Sequence, residues 1–202
     1  MIAHAAVVPI GPIARATGAV CLPGSKSISN RALLLSALAV GETALRGLLD
    51  SDDTSIMQDA LATLGVASHH EEDGLRISGC AGNLPVSEAC LYLGNAGTAF
   101  RSLAAALAFS GGRYELDGVS RMRERPIGDL VDALNALGAQ VRYKGTPGFP
   151  PLLIEPADRL LSDHVSIRGN VSSQFLSGLL MSAPLVASKN GLRISVDGTL
   201  IS

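Results

Sequence analysis

The sequence predicts an α/β domain built from a repeated unit of about 70 residues, on three observations. Short strand-like segments alternate with apolar helical ones between Gly and Pro punctuation. The heptamer Asp59-Ala60-Leu61-Ala62-Thr63-Leu64-Gly65 returns as Asp132-Ala133-Leu134-Asn135-Ala136-Leu137-Gly138, 73 residues later. Glycine-led loops open the first helix of each round at Gly24, Gly94 and Gly169, spaced 70 and 75. Ala/Leu helices can repeat a D-A-L-x-x-L-G string by chance, but three loops on the same period are harder to obtain that way. Packing of such units around a local pseudo-threefold axis would gather the three helix starts on one face.

In chain order, apolar positions 32, 33, 35, 38 and 39 predict a buried helix over Ser29 to Ala39, stopped by Gly41. Ser51-Asp52-Asp53-Thr54 opens a second helix, whose pattern Ile56, Met57, Ala60, Leu61, Leu64 ends at Gly65. Gly74 to Gly79 alternates as a strand. In the second round, Gly97 to Phe109 predicts a helix and Arg113 to Gly118 a strand. Pro126 is expected to start a helix carrying Ile127, Leu130, Val131, Leu134 and Leu137. Turn material at 144 to 151 precedes a strand around Leu152 to Ile154. The third round predicts a helix from Ser172 to Met181, with Pro184 beyond it, and a strand in 191 to 198. A second helix in that round would carry its Asp near position 205, so the third unit is expected to be incomplete at Ser202.

The 202 residues are 47% hydrophobic and 17% charged with a formal net charge of −2, which excludes wholesale disorder and a basic nucleic-acid coat. Cys21, Cys80 and Cys90 are odd in number and form no CxxC pair, which suits a reduced, cytoplasmic protein. The N-terminus lacks a basic region followed by a long apolar core, and no apolar stretch approaches membrane-spanning length. The basic residues are 13 Arg and only 3 Lys. Arg grips carboxylate and phosphate oxygens in fixed geometry, so the bias leaves room for a small anionic ligand.

Candidate chemistry concentrates at the helix starts. Pro23-Gly24-Ser25-Lys26-Ser27-Ile28-Ser29-Asn30-Arg31 offers glycine, hydroxyls, free backbone N–H groups and the Lys26 ammonium, with Arg31 one turn after Ser27. It is no Walker A loop, since GxxxxGK[ST] is absent. An ordinary capped helix with a solvated Lys is the alternative. Gly94-Asn95-Ala96-Gly97-Thr98 repeats the theme, and Arg101 stands inside an otherwise apolar helix. Burying that cation alone would cost several kcal/mol, so it should reach a cleft or an anion. Arg121, Arg123 and Arg125 suit a solvated loop equally well. Arg125, placed before a helix start, is unfavourable there unless an anion joins it. Ser172, Ser173 and Gln174 offer neutral hydrogen bonds to a polyhydroxylated ring or a phosphate, or Ser172 simply caps its helix. His69 and His70 beside Glu71, Glu72 and Asp73 read as a solvated turn rather than a metal site. His4 falls in a frayed terminus and His164 in a polar loop. Asp52 and Asp53 are expected to cap the second helix, with a place in the pocket wall left open. No metal site and no cofactor are expected.

LPGSKSISNR at 22 to 31, SDDT at 51 to 54, LGNAGTAFR at 93 to 101, RMRERPI at 121 to 127 and GNVSSQFLSGLLMSAPL at 169 to 185 resemble the 5-enolpyruvylshikimate-3-phosphate synthase family over nearly the whole chain. The sister family acting on UDP-N-acetylglucosamine carries a different Lys-Asn pattern in the first loop. The resemblance implies an enolpyruvyl transferase-like domain of repeated βαβαββ units. It implies transfer of the carboxyvinyl group of phosphoenolpyruvate to the 5-hydroxyl of shikimate 3-phosphate, releasing phosphate, by addition and elimination through a tetrahedral ketal. By the family pattern Lys26 binds the phosphoenolpyruvate phosphate and takes part in proton transfer. Ser27 and Arg31 hold shikimate 3-phosphate, Ser172 and Ser173 its phosphate, and Gln174 lies beside both substrates. Asn95, Gly97 and Arg125 line the phosphoenolpyruvate side, Thr98 and Arg101 support that loop, and Ser202 matches a substrate-binding serine.

Two departures accompany the resemblance. Ser102 stands where the family commonly has Pro, which bears on sensitivity to glyphosate, an inhibitor of the phosphoenolpyruvate site. Family members also run to roughly twice this length, in two domains. Residues 1–20 are expected to pair with a C-terminal domain and 21–202 to form most of the shikimate-3-phosphate-binding domain. The full-length form is expected to be a monomer, and this chain alone to be inactive for want of the opposite wall of the site. A non-catalytic anion- or shikimate-3-phosphate-binding module, or a regulatory fragment, is the alternative.

Overall fold

The structure, a computed structural model, describes residues 9, 11–157, 161–189 and 191–200. Ser202 and His4 lie outside the described residues. Residues 11–25 carry neither helix nor strand, and Ile13, Val20 and Leu22 are exposed along them.

The first round contains α1 (Lys26–Leu38), β1 (Val40–Arg46), α2 (Asp52–Thr63), β2 (Ser68–Glu71) and β3 (Gly74–Cys80). The second contains β4 (Glu88–Tyr92), α3 (Gly97–Leu107), β5 (Arg113–Asp117), a 3-10 turn (Met122–Glu124), α4 (Gly128–Ala136), β6 (Gln140–Tyr143) and β7 (Leu152–Glu155). The third contains β8 (His164–Arg168), α5 (Ser173–Val186) and β9 (Arg193–Asp197). The second round is thus a full βαβαββ unit.

Sheet order shows that the other two rounds follow the same plan. The second sheet runs β4-β5-β7-β6, with β4 and β5 parallel and the remaining pairs antiparallel. The first sheet, β1-β3-β2, reproduces its last three positions. The third, the parallel pair β8-β9, reproduces its first two. The step between units is also repeated: α2 packs on β4 and α4 packs on β8, so each second helix rests on the next unit's first strand.

Most of the helix α3 is buried, and it supplies Phe100, Leu103 and Leu107 to a core shared with Leu33, Leu64, Leu116, Leu134, Ile154 and Phe175. Its contact with α5 is close. A Cβ on Gly178 would lie 3.3 Å from both the Ala105 Cβ and the Arg101 carbonyl oxygen. That approach holds the start of α5, one turn earlier, against Arg101.

Several local expectations need correction. The first helix begins at Lys26, three residues before Ser29, so the Lys26 and Ser27 backbone belongs to its first turn. Pro126 does not start α4: it follows the 3-10 turn as irregular backbone, and the helix begins at Gly128 after the N-cap Ile127. Pro184 lies inside α5 rather than beyond it, with its ring on the exposed side near the helix end. His164 opens β8 instead of sitting in a loop, and His69 and His70 belong to the exposed strand β2. Ser51, not Asp52 or Asp53, caps α2, through a capping box with Thr54.

Candidate active site

The helix starts differ in how their free N–H groups are satisfied. Ser51 caps α2, and Ser172 caps α5 by accepting from the Gln174 backbone N–H at 3.3 Å. The starts of α1 and α3 have no side-chain cap: Ser25 and Ala96 occupy the cap positions without closing them. Both face one cavity of about 430 Å³, lined by Lys26, Ser27, Asp52, Asp53, Ile56, Asn95, Ala96, Gly97, Thr98, Arg125 and Gln174. Two uncapped helix N-termini with two cations beside them make a site that favours a compact anion.

Glycine is required at two places in this construction. A Cβ on Gly24 would stand 2.2 Å from the Gly47 carbonyl oxygen, so the first loop runs hard against the β1–α2 connection. A Cβ on Gly97 would stand 2.4 to 2.5 Å from the Arg125 guanidinium atoms. The missing side chain is therefore the seat of Arg125, whose Nη1 donates to the Asn95 carbonyl at 3.1 Å.

Arg101 lies behind that pair. Its Nη1 donates to Gln174 Oε1 at 2.5 Å, its Nη2 to the Pro126 carbonyl at 3.3 Å, and its guanidinium covers the Phe175 ring at 5.2 Å. Burial, and then the neighbouring Arg125 charge, lower its pKa to about 10. It stays protonated at neutral pH, and among the described residues no carboxylate pairs with it.

The structure brings together Lys26, Ser27, Asn95, Gly97, Thr98, Arg125 and Gln174 around the cavity. Arg31, Ser172 and Ser173 do not line it: Arg31 is half-buried one turn further along α1, and the two serines precede Gln174 at the start of α5. Ser202 lies outside the described residues. Sequence reasoning left Asp52 and Asp53 open, and both line the cavity; it missed Ile56. The Asp53 carboxylate sits 3.5 Å from the Lys26 ammonium, in the first turn of α2 where negative charge is stabilised. Ile56 carried no signal, because its spacing matches the buried stripe of α2.

A second cavity, of about 450 Å³, opens between α4 and the β8–β9 pair. Its Arg168 is tied to Asp129 and its Ser166 to Asp197, leaving Asp132 as a further negative charge. That lining repels an anion, so the cavity between α1 and α3 is the better site. Among the described residues, no group of three or more His, Cys, Asp or Glu is placed to hold a metal ion, and no helix is long and apolar enough to cross a membrane.

Residues 10–202 match the family model described as EPSP synthase (3-phosphoshikimate 1-carboxyvinyltransferase). The chain belongs to the EPSP synthase family. It is similar to the 3-phosphoshikimate 1-carboxyvinyltransferases of Cupriavidus taiwanensis, at 58% identity over 194 residues, and Cellvibrio japonicus, at 56% over 188 residues. These alignments cover 96% and 93% of this chain but 45% and 44% of the relatives, so the chain spans about half the length of the curated relatives it matches. Among solved structures, an EPSP synthase from Acinetobacter baumannii superposes with a TM-score of 0.80 at 26% identity, covering 92% of this chain and 41% of that one. The EPSP synthase fold, an enolpyruvyl transferase fold, is thus shared in three dimensions as well as in sequence.

Proposed function

We propose that this chain supplies the shikimate-3-phosphate-binding wall of an enzyme that transfers the carboxyvinyl group of phosphoenolpyruvate to the 5-hydroxyl of shikimate 3-phosphate. The observation that carries the reading is the convergence of Lys26, Arg125 and the uncapped starts of α1 and α3 on one cavity, within a member of the EPSP synthase family.

The chemistry divides naturally between these groups. In the addition step the 5-hydroxyl oxygen bonds to C2 of phosphoenolpyruvate, C3 gains a proton and the hydroxyl loses one. In the elimination step C3 gives up a proton and the C2–O bond to phosphate breaks, leaving the carboxyvinyl ether and free phosphate. Arg125, the Gly97 and Thr98 backbone and Lys26 suit the phosphoenolpyruvate phosphate, whose charge they stabilise as it leaves. The Lys26 ammonium, on a flexible stem at the cavity mouth, is the group in this wall suited to proton transfer. Ser27, Arg31, Ser172, Ser173 and Gln174 are the candidates for shikimate 3-phosphate, and Ser202 extends that set. The protein acts without metal or organic cofactor in this reading, as a cytoplasmic enzyme.

Alignment and exclusion of water need a second wall. The exposed apolar side chains Ile13 and Val20 suit residues 1–20 to pairing with a further domain, with 21–202 as the substrate-binding domain. The 202 residues alone should therefore bind without turning over. Release of phosphate from phosphoenolpyruvate in the presence of shikimate 3-phosphate tests this. The isolated chain should show none, and a chimera joining it to the remaining part of the Cupriavidus taiwanensis relative should show turnover that Lys26→Ala abolishes. A chimera that folds yet stays inactive would favour a binding module without catalysis.

A further inference from the structure

We infer that Arg101 is a positioning residue that fixes the side-chain amide of Gln174, so that the NH2 group rather than the carbonyl is presented to the cavity. The inference rests on the anion-site reading above and concerns a group that does not itself line the cavity.

A guanidinium has only donors, whereas a glutamine amide has an acceptor on one side and two donors on the other. With Arg101 Nη1 2.5 Å from the Gln174 amide, the oxygen must face the arginine. The reversed amide would set donor against donor in a half-buried site, and would turn a carbonyl dipole toward any bound anion. Gln174 lines the cavity, so the amide orientation decides whether that wall attracts or repels negative charge.

Nothing in the pair looks free to rearrange. Arg101 is held from a second side by the Pro126 carbonyl and from a third by the Phe175 ring. The α5 backbone is pinned by the Ser172 cap before Gln174 and by the close Gly178 contact after it. The two residues are 73 apart, one repeat period, so the bond ties the helix start of the third unit to α3 of the second. Ion pairing with an acidic side chain would have spent the Arg101 charge. A neutral amide leaves it in place beside Arg125.

The test uses the 202-residue chain with inorganic phosphate as the probe. Gln174 side-chain NH2 signals are assigned in a ¹⁵N-edited NMR spectrum by their loss in Gln174→Met. Phosphate is then titrated into the wild type, Arg101→Met, Gln174→Met, the double variant and Gln174→Glu. Arg101→Met should shift the Gln174 amide signals while backbone amides of β2 stay in place. Each single Met variant should weaken phosphate binding by about threefold to tenfold, the worth of one ordinary hydrogen bond. The double variant should be no weaker than the weaker single. Gln174→Glu keeps an acceptor for Arg101 yet puts a carboxylate in the wall, so it should lose at least about tenfold. Single effects that multiply in the double variant would overturn the inference, making Arg101 a direct charge instead. Gln174 amide signals indifferent to Arg101→Met would overturn it equally. A wild type without phosphate affinity would sink the anion-site reading, and the amide signals would still decide the role of Arg101.

Discussion

Replacing Gly97 by Ala tests the anion site where its geometry is tightest. The added Cβ would stand 2.4 Å from Arg125 Nη1 and 2.5 Å from Cζ and Nη2, against ordinary contacts of 3.4–4 Å. The guanidinium must therefore retreat by about 1 Å, a misplacement able to cost about 10²-fold in a preorganised site. Retreat breaks the 3.1 Å bond to the Asn95 carbonyl and takes a charged donor out of reach of the ligand. A hydrogen bond to a charged group contributes about 1.5–3 kcal/mol, so affinity for phosphoenolpyruvate should fall by about 10- to 150-fold. The fold should not suffer, because the displaced atoms are the end of a flexible side chain. Ala in the first helical turn should even stabilise by up to about 1 kcal/mol. Calorimetric titration with phosphoenolpyruvate, paired with thermal unfolding, separates the two effects. Unchanged affinity in Gly97→Ala, alongside a clear loss in Arg125→Ala, would refute the reasoning.

Asp53→Asn should tighten phosphate binding by about twofold to fivefold, the worth of an exposed ion pair, because Lys26 no longer divides its charge; the effect should vanish in a Lys26→Ala background. Ser102 is the sixth residue of α3, buried, with its hydroxyl donating to the Thr98 and Ala99 carbonyls at 2.8 and 3.2 Å. Pro there removes both the hydroxyl and the backbone donor, so Ser102→Pro should displace the Gly97–Thr98 turn and change the glyphosate inhibition constant of the full-length chimera; equal constants would contradict this. Asp117 is held below the usual carboxylate range, first by hydrogen bonds from Arg123 and also by the Gly118 N–H. Its contribution is complete above the unfolded value of 3.8 and disappears as pH falls through the lower folded value. Arg123→Met should flatten that part of the acid-unfolding curve, and an unaltered curve would remove the pair from the account.

Most of the helices were legible because they bury one face, and α3, buried nearly all round, showed as a long apolar run between glycines. Leu33, Leu61, Leu103, Leu134 and Leu179 lie on stripes that a 3.6-residue period reveals. Most of the strands missing from the sequence reading bury too little to show a period. β2 (Ser68–Glu71) is exposed throughout and is held by its backbone ladder to β3, and β1 (Val40–Arg46) has no fully buried residue. β4 (Glu88–Tyr92) alternates half-buried Ala89 and buried Leu91 with exposed Glu88, Cys90 and Tyr92 over only five residues. The repeat carried further than the periodicity did. Glycine loops 70 and 75 residues apart lead into sheets of which the first and third each reproduce part of the second's strand order.

Within the site, residue types announced the cations and glycines but not their partners. Arg125 was expected at the start of α4 and instead lies over Gly97: it closes the 3-10 turn, and Pro126 and Ile127 separate it from α4. Arg101 was expected to reach a cleft or an anion, yet its near partner is the Gln174 amide, 73 residues away. Such pairings depend on how units pack, which no local pattern encodes. Ser172, by contrast, was legible either as ligand or as cap, and the geometry shows the cap.

The central claim is that the cavity between α1 and α3 takes the phosphorylated substrates. Titration of phosphoenolpyruvate into the 202-residue chain, with and without shikimate 3-phosphate, tests it most directly. The account predicts measurable binding that Lys26→Ala and Arg125→Ala each weaken by about tenfold or more, while Arg168→Ala, in the acidic cavity by α4, leaves it unchanged. Binding that survives both cavity substitutions, or that falls only with Arg168→Ala, would contradict it.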